Sequence, residues 1–295
     1  MSDETFLSRI ARRFRFMLPR AVRPDVPVVP IVRLSGIIGF STPLRPGLTL
    51  ASCARALDRA FSYRAKAVAL AINSPGGSAA QSHLIFKRIR QLSEEKSIPV
   101  VAFIEDVGAS GGYMIACAAD EIIADESSIV GSIGVVGGSF GFHGLLEKIG
   151  VERRLYTSGE RKAMLDPFLP ENPEDVARLK AIQRDIHESF IALVKGRRGA
   201  GLRETEADLF SGEYWTGRRA VELGLTDGVG DLRTTLRRRF GEKVELPLVT
   251  SSRGLFGRAA QGIGLRDAGF WEGPSFAEDI VSALDARALW ARYGL

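Results

Sequence analysis

The chain has 295 residues, 45% of them hydrophobic and 25% charged, with a net charge of +5 and two cysteines. That length and balance fit one large soluble α/β domain or two small ones. They argue against a membrane-spanning helix, since no run of about 18 uninterrupted apolar residues occurs. They argue equally against a disulfide framework or a thiolate metal site, since Cys53 and Cys117 have no ligand spacing and read as small apolar core residues. The positive charge is concentrated in Arg9, Arg12, Arg13, Arg15 and Arg20 and again in Arg233, Arg237, Arg238 and Arg239. Neither cluster is set in a nucleic-acid module, so no nucleic-acid partner is expected. The first 20 residues lack the apolar core of a secretory signal peptide.

In chain order, residues 1–25 form an appendage. Phe6, Leu7, Ile10, Phe14, Met17 and Leu18 recur at helical spacing among the arginines until Pro19 and Pro24 end the pattern. Such a segment either packs on protein or lies on an anionic membrane surface. The body then alternates. Strands are predicted over residues 28–34, 67–72, 100–104, 121–124, 129–136 and 152–156. Helices are predicted over 50–61, 78–91, 110–119, 142–149 and 173–197, the last opened by Asn172 as cap and Pro173 in the first turn. Alternation of this kind builds βαβ units and a mostly parallel sheet. Residues 241–295 are glycine-rich and less periodic, a tail or an arm onto a neighbour.

The chemistry concentrates in a few glycine-rich turns. Gly108-Ala109-Ser110-Gly111-Gly112 follows an apolar strand and opens a helix, which places a hydroxyl where the helix dipole and unpaired N–H groups favour developing negative charge. It also fits the G-x-S-x-G elbow. Asn73-Ser74-Pro75-Gly76-Gly77 makes a second strand-to-helix turn whose backbone amides suit an oxyanion hole. On neighbouring parallel strands the two turns converge at the carboxyl edge of the sheet.

A serine nucleophile needs a base. Of the three histidines, His83 and His187 fall inside helical patterns, and His143 is the one triad candidate. An α/β-hydrolase places its histidine late, yet more than a hundred residues follow His187. Lys162, in the loop after Thr157-Ser158-Gly159, offers a different base, because a lysine desolvated by its surroundings loses its proton. Ser132, in Gly131-Ser132-Ile133-Gly134, is either a hydroxyl that orients this lysine or a plain turn residue.

Asn73-Ser-Pro-Gly-Gly, Gly108-Ala-Ser-Gly-Gly-Tyr, Gly131-Ser-Ile-Gly-Val and Ser158-Gly-x-x-Lys162, in this order, resemble the signal peptide peptidase A (SppA-type) family of Ser/Lys proteases from about residue 28 to 232. The resemblance implies a Clp protease/crotonase-like α/β fold of repeated ββα/βαβ units, a single domain with flanking helical arms. It implies Ser110 as nucleophile, Lys162 as base and Ser132 as the hydroxyl that holds the lysine. It implies an oxyanion hole made by Gly111 with Gly76 or Gly77. It further implies peptide substrates such as signal-peptide remnants, no metal or other cofactor, and a homo-oligomer whose sites are shared between protomers. Many members carry an N-terminal membrane-spanning helix; here only the basic amphipathic segment precedes the domain.

The expectation is therefore a serine endopeptidase domain over residues 26–240, between segments 1–25 and 241–295. Its expected location is cytoplasmic, with peripheral contact to anionic lipid. Two rivals stand beside it. A crotonase-like acyl-CoA enzyme also pairs oxyanion amides but needs no serine and lysine at these places. A non-catalytic scaffold on the same fold would tolerate loss of the dyad, which is intact.

Overall fold

A computed structural model describes residues 26–39, 47–159, 161–203, 205–250 and 289–294; the basic segment 1–25 and residues 251–288 lie outside the described residues. Its strands are β1 (Ile31–Ser35), β2 (Val68–Ser74), β3 (Val100–Ala109), β4 (Glu121–Ala124), β5 (Ile129–Gly131), β6 (Tyr214–Thr216), β7 (Gly228–Val229) and β8 (Leu248–Val249). Its α-helices are α1 (Leu50–Phe61), α2 (Ala79–Lys96), α3 (Gly111–Ala116), α4 (His143–Lys148), α5 (Pro173–Arg198), α6 (Glu206–Leu209), α7 (Gly217–Leu223) and α8 (Leu232–Phe240). The strands form one sheet in the order β6-β5-β3-β2-β1-β8, and β4 pairs with β3 and β7. Every pairing is parallel except β5 with β6. This is the mixed α/β, Clp protease/crotonase-like fold that the motifs imply.

The apolar runs at 67–72 and 100–104 are continuous because both faces of the sheet are covered. Successive side chains point to opposite faces. Val68, Leu70 and Ile72 of β2, with Val100, Ala102 and Ile104 of β3, enter the larger core beneath α1, α2, α3 and α5. Ala69, Val101 and Phe103 enter a smaller core with Ile123, Leu236 and Val244. Leu236 belongs to α8, so the later basic run is the outer face of a helix whose inner face is core, and Arg239 pairs there with Glu121. Both cysteines are buried, and burial pushes the Cys117 thiol up to about 12.

The ten-residue β3 forks. Its first half pairs with β4 and its second half, Val107 to Ala109, with β5. At the break the register against β2 slips between Ile72 and Ser74. The Asn73 side chain patches the slip, donating to Asp106 and accepting from the Val107 N–H. The Ser128 hydroxyl donates to the carbonyls of Ile104 and Glu105 at the same place. The fork turns the end of β3 away from β4, and Ser110 follows directly.

Several predicted elements differ. Residues 152–156 are no strand: residues 151–159 are wholly exposed, and a strand without a partner leaves its backbone groups to water. The predicted strand 129–136 ends at Gly131, where Gly131 and then Ser132 take left-handed backbone conformations. The helix expected over 110–119 is Gly111–Ala116. Residues 244–249, assigned by sequence to the terminal segment, lie on the sheet: β8 pairs with β1, and Val244 and Val249 are buried. From residue 137 to 172 the chain leaves the sheet as an arm, in which α4 buries no residue.

Candidate active site

Ser110 stands at the cap position of α3 with φ +52° and ψ −121°, and its side chain makes no capping bond. Its backbone is pinned on both sides: its N–H donates to the Gly131 carbonyl at 2.8 Å, and its carbonyl accepts from the Met114 N–H at 3.0 Å. A non-glycine residue in this conformation is strained, and the surrounding structure must hold it there. The hydroxyl is thereby free of the helix it opens and faces a cavity of about 470 Å³.

The second glycine turn meets Ser110 by close approach. A Cβ on Gly76 would stand 2.8 Å from the Ser110 Cβ and 2.9 Å from the Gly111 nitrogen, and Gly76 has φ +100°. Gly77, at φ +138°, is held against Ile38 on both sides, through Ile38 N–H to the Gly76 carbonyl and Ser78 N–H to the Ile38 carbonyl. The three candidate amides of Gly76, Gly77 and Gly111 are not equivalent. The Gly76 N–H donates to the Ser74 Oγ at 3.2 Å. The Gly111 N–H is the first amide of α3, a position with no acceptor inside its own helix. Gly77 and Gly111 both line the cavity, and Gly76 does not.

Ser132 lines the same cavity. It too has φ +52°, its N–H donates to the Glu213 carbonyl at 2.7 Å, and its carbonyl accepts from Gly134 at 3.0 Å. His187 of α5 lies with Nε2 3.0 Å from the carbonyl of the next residue, Ile133. That contact steadies the turn and gives His187 a partner that its helical pattern alone did not reveal. The apolar wall of the cavity comes from Met114, Ile186 and Phe190. Residues 289–294 close one side, with the Tyr293 hydroxyl donating to the Ser132 Oγ at 3.2 Å.

Lys162 is elsewhere. It is exposed, in a turn closed by its N–H to the Gly159 carbonyl, and it is not among the residues that line the cavity at Ser110. Its neighbours Arg161 and Ala163 line a second cavity of about 1140 Å³, between the arm and α5. His143 also lines that second cavity, and none of the three histidines lines the first. So the structure brings Ser110, Gly76, Gly77, Gly111 and Ser132 together within one chain and leaves Lys162 outside.

The chain matches the profile of Peptidase family S49 over residues 93–245, more than half its length. It belongs to that family. A putative signal peptide peptidase SppA of Enterococcus faecium is 33% identical over 165 residues, 56% of this chain and 47% of that protein. The SppA-type resemblance of the motifs is thus matched by similarity well beyond the motifs themselves. A Brucella abortus protein named as the Na(+)/H(+) antiporter NhaA is 54% identical over 285 residues, which is 95% of this chain but 38% of the Brucella protein. This chain thus spans well under half of that relative, whose name describes the larger protein. Among solved structures, a membrane-bound stomatin-specific protease aligns with a TM-score of 0.50 at 19% identity, over 78% of this chain and 100% of that one, a likeness of fold. Among the described residues no helix is long and apolar enough to cross a membrane, and no group of side chains is arranged to hold a metal ion.

Proposed function

We propose that this chain is a serine endopeptidase with a Ser110/Lys162 dyad, and that each working site takes its serine from one protomer and its lysine from another. The observation that carries the reading is the separation just described: Ser110, the residues Gly77 and Gly111 and a second serine, Ser132, line one cavity, while the lysine sits on an exposed arm. The arm carries apolar side chains that water covers poorly. Tyr156 is 90% exposed and Phe140 74%, and Leu145, Ile149 and Val151 are exposed with them. Apolar surface gathered in this way marks a protein–protein contact.

In the assembled site the Ser110 Oγ attacks the scissile carbonyl and Lys162, as neutral amine, takes its proton. A neighbour's surface desolvates the lysine and favours that neutral form. The oxyanion is held by the N–H groups of Gly77 and Gly111, which act where charge develops in the transition state. Gly76 contributes the absence of a side chain rather than a donor. Lys162 passes the proton to the leaving amine, and water then releases the acyl group by the same route in reverse. Ser132 holds the lysine amine. Substrates are peptides or unfolded segments with apolar side chains that suit Met114, Ile186 and Phe190. Signal-peptide remnants are one such class. The basic residues 1–25 hold the protein peripherally on anionic lipid at the cytoplasmic face, a reading checked by whether their deletion abolishes sedimentation with anionic vesicles.

The deciding experiment mixes inactive Ser110→Ala with inactive Lys162→Ala and lets subunits exchange. A shared site restores peptide cleavage, since roughly a quarter of randomly mixed interfaces regain both partners. Verified exchange without recovery rules out sharing. Covalent labelling of Ser110 by a serine-directed inhibitor separates peptidase from a crotonase-like acyl-CoA enzyme. Ion antiport is not extended to this chain, whose described helices include none that crosses a membrane.

A further inference from the structure

The cavity at Ser110 has an occupant from the same chain. Leu289, Arg292 and Tyr293 line it beside Ser110, Gly111 and Ser132. Three contacts fix the segment. The Tyr293 hydroxyl donates to the Ser132 Oγ at 3.2 Å. The Tyr214 hydroxyl donates to the Arg292 carbonyl at 3.2 Å. The rings of Tyr214 and Tyr293 meet edge to face with centroids 5.2 Å apart. Tyr214 pairs with Gly131 across β5 and β6, so the segment docks on the strand beside the one that leads into Ser132.

We propose that residues 289–294 are a plug that docks in the catalytic cleft and competes with both the peptide substrate and the arriving lysine. The segment is poorly shaped as a substrate. Its backbone is curled, with Tyr293 N–H to the Trp290 carbonyl and Gly294 N–H to the Ala291 carbonyl, so these amides are already paired within the segment. A peptide presented for attack must instead lie open along the cleft. The competition at Ser132 is specific. One hydroxyl has a single proton to donate and two lone pairs, and the Tyr293 hydroxyl already uses one of those lone pairs while its ring fills cavity space beside Ser132. A protomer alone therefore keeps its half-site covered, and a neighbour's Lys162 and a bound peptide displace Tyr293 together. The proposal rests on the Ser110/Lys162 reading for its consequence, but docking itself does not.

The test separates the two. In the full chain, residues 289–294 are replaced by glycine and serine, and separately Tyr293→Phe is made. The replacement is expected to raise kcat/KM on a peptide substrate, and Tyr293→Phe to raise it by roughly fivefold or less, the worth of one neutral hydrogen bond. In parallel, a fluorescein-labelled peptide Leu-Trp-Ala-Arg-Tyr-Gly is titrated by polarisation against the replaced chain carrying Ser110→Ala, which reports docking without turnover. Saturable binding, weakened when phenylalanine replaces the tyrosine of the peptide, supports the plug even if Lys162→Ala proves active and the dyad fails. Absence of binding overturns it. So does an unchanged or lower kcat/KM in both variants at unchanged Tm.

Discussion

The sheet and the arm of this molecule are built on opposite terms. In the sheet every strand of the Ser110 half is paired, and its apolar side chains are covered by α1, α2, α3 and α5 on one face and α8 on the other. In the arm, from residue 137 to 172, α4 buries nothing and residues 151–159 are exposed, yet Phe140, Leu145, Ile149, Val151 and Tyr156 present large apolar side chains to water. A local cluster ties it together: Phe142 stacks on Phe168 at 5.5 Å, Arg153 lies over the Phe168 ring, and Arg153 pairs with Asp166. Under the proposed function, the surface that covers this region belongs to a neighbouring protomer. One region carries Ser110 and its glycine turns, and the other carries Lys162.

The largest effect that tests this contrast is chemical. Ser110→Ala and Lys162→Ala should each lower kcat by about four to six orders of magnitude, as loss of one member of a catalytic unit does, with Tm unchanged. His143→Ala, on the same arm, should cost little. Loss of turnover in the histidine variant with a fully active lysine variant would reverse the assignment. Next comes the close approach on the sheet side. Gly76→Ala puts a Cβ 2.8 Å from that of Ser110 at a φ of +100°. It should lower kcat about a hundredfold by displacing the oxyanion amides, an effect of the size of losing one donor. An intact kcat with a lowered Tm would show that this glycine serves packing alone.

The arm should respond in the opposite manner. Tyr156→Asp with Ile149→Asp should reduce oligomer mass and lower activity by roughly thirtyfold or more, the effect of losing an interface hot spot. The Tm of the protomer should stay put, because neither side chain belongs to its core. An undiminished oligomer would place the contact on another surface.

The smallest effect belongs to the sheet. For Asp120 burial alone raises the carboxyl pKa, but the Val100 N–H, Arg90 and Arg197 more than offset it and leave it below the ordinary value. A depressed native pKa contributes stability above the unfolded value, and that stability is lost as pH falls through the native one. Asp120→Asn should lower Tm by a few degrees near neutrality and flatten its acid dependence. Parallel acid curves for the two proteins would show that the carboxylate contributes nothing there.

Much of this was legible from residue order, because it depends on neighbours along the chain. Apolar runs at 67–72 and 100–104 mark buried strands, Asn172-Pro173 marks the start of α5, and the glycines around Ser110 mark a turn that only a special backbone makes. The motifs were enough to name the family, which the similarity over residues 93–245 shows. Tertiary structure decided what depends on contacts between distant segments. The fork in β3 rests on Asn73 and Ser128 reaching across the sheet. Which glycine amide is already engaged rests on where the Ser74 hydroxyl points. His187 finds Ile133 only when α5 packs beside the turn that follows β5. That residues 152–156 form no strand follows from the lack of a partner, which no local pattern records. The same holds for Lys162. The motif makes it a candidate base, but its place outside the cavity at Ser110 is set by an arm that the core does not cover.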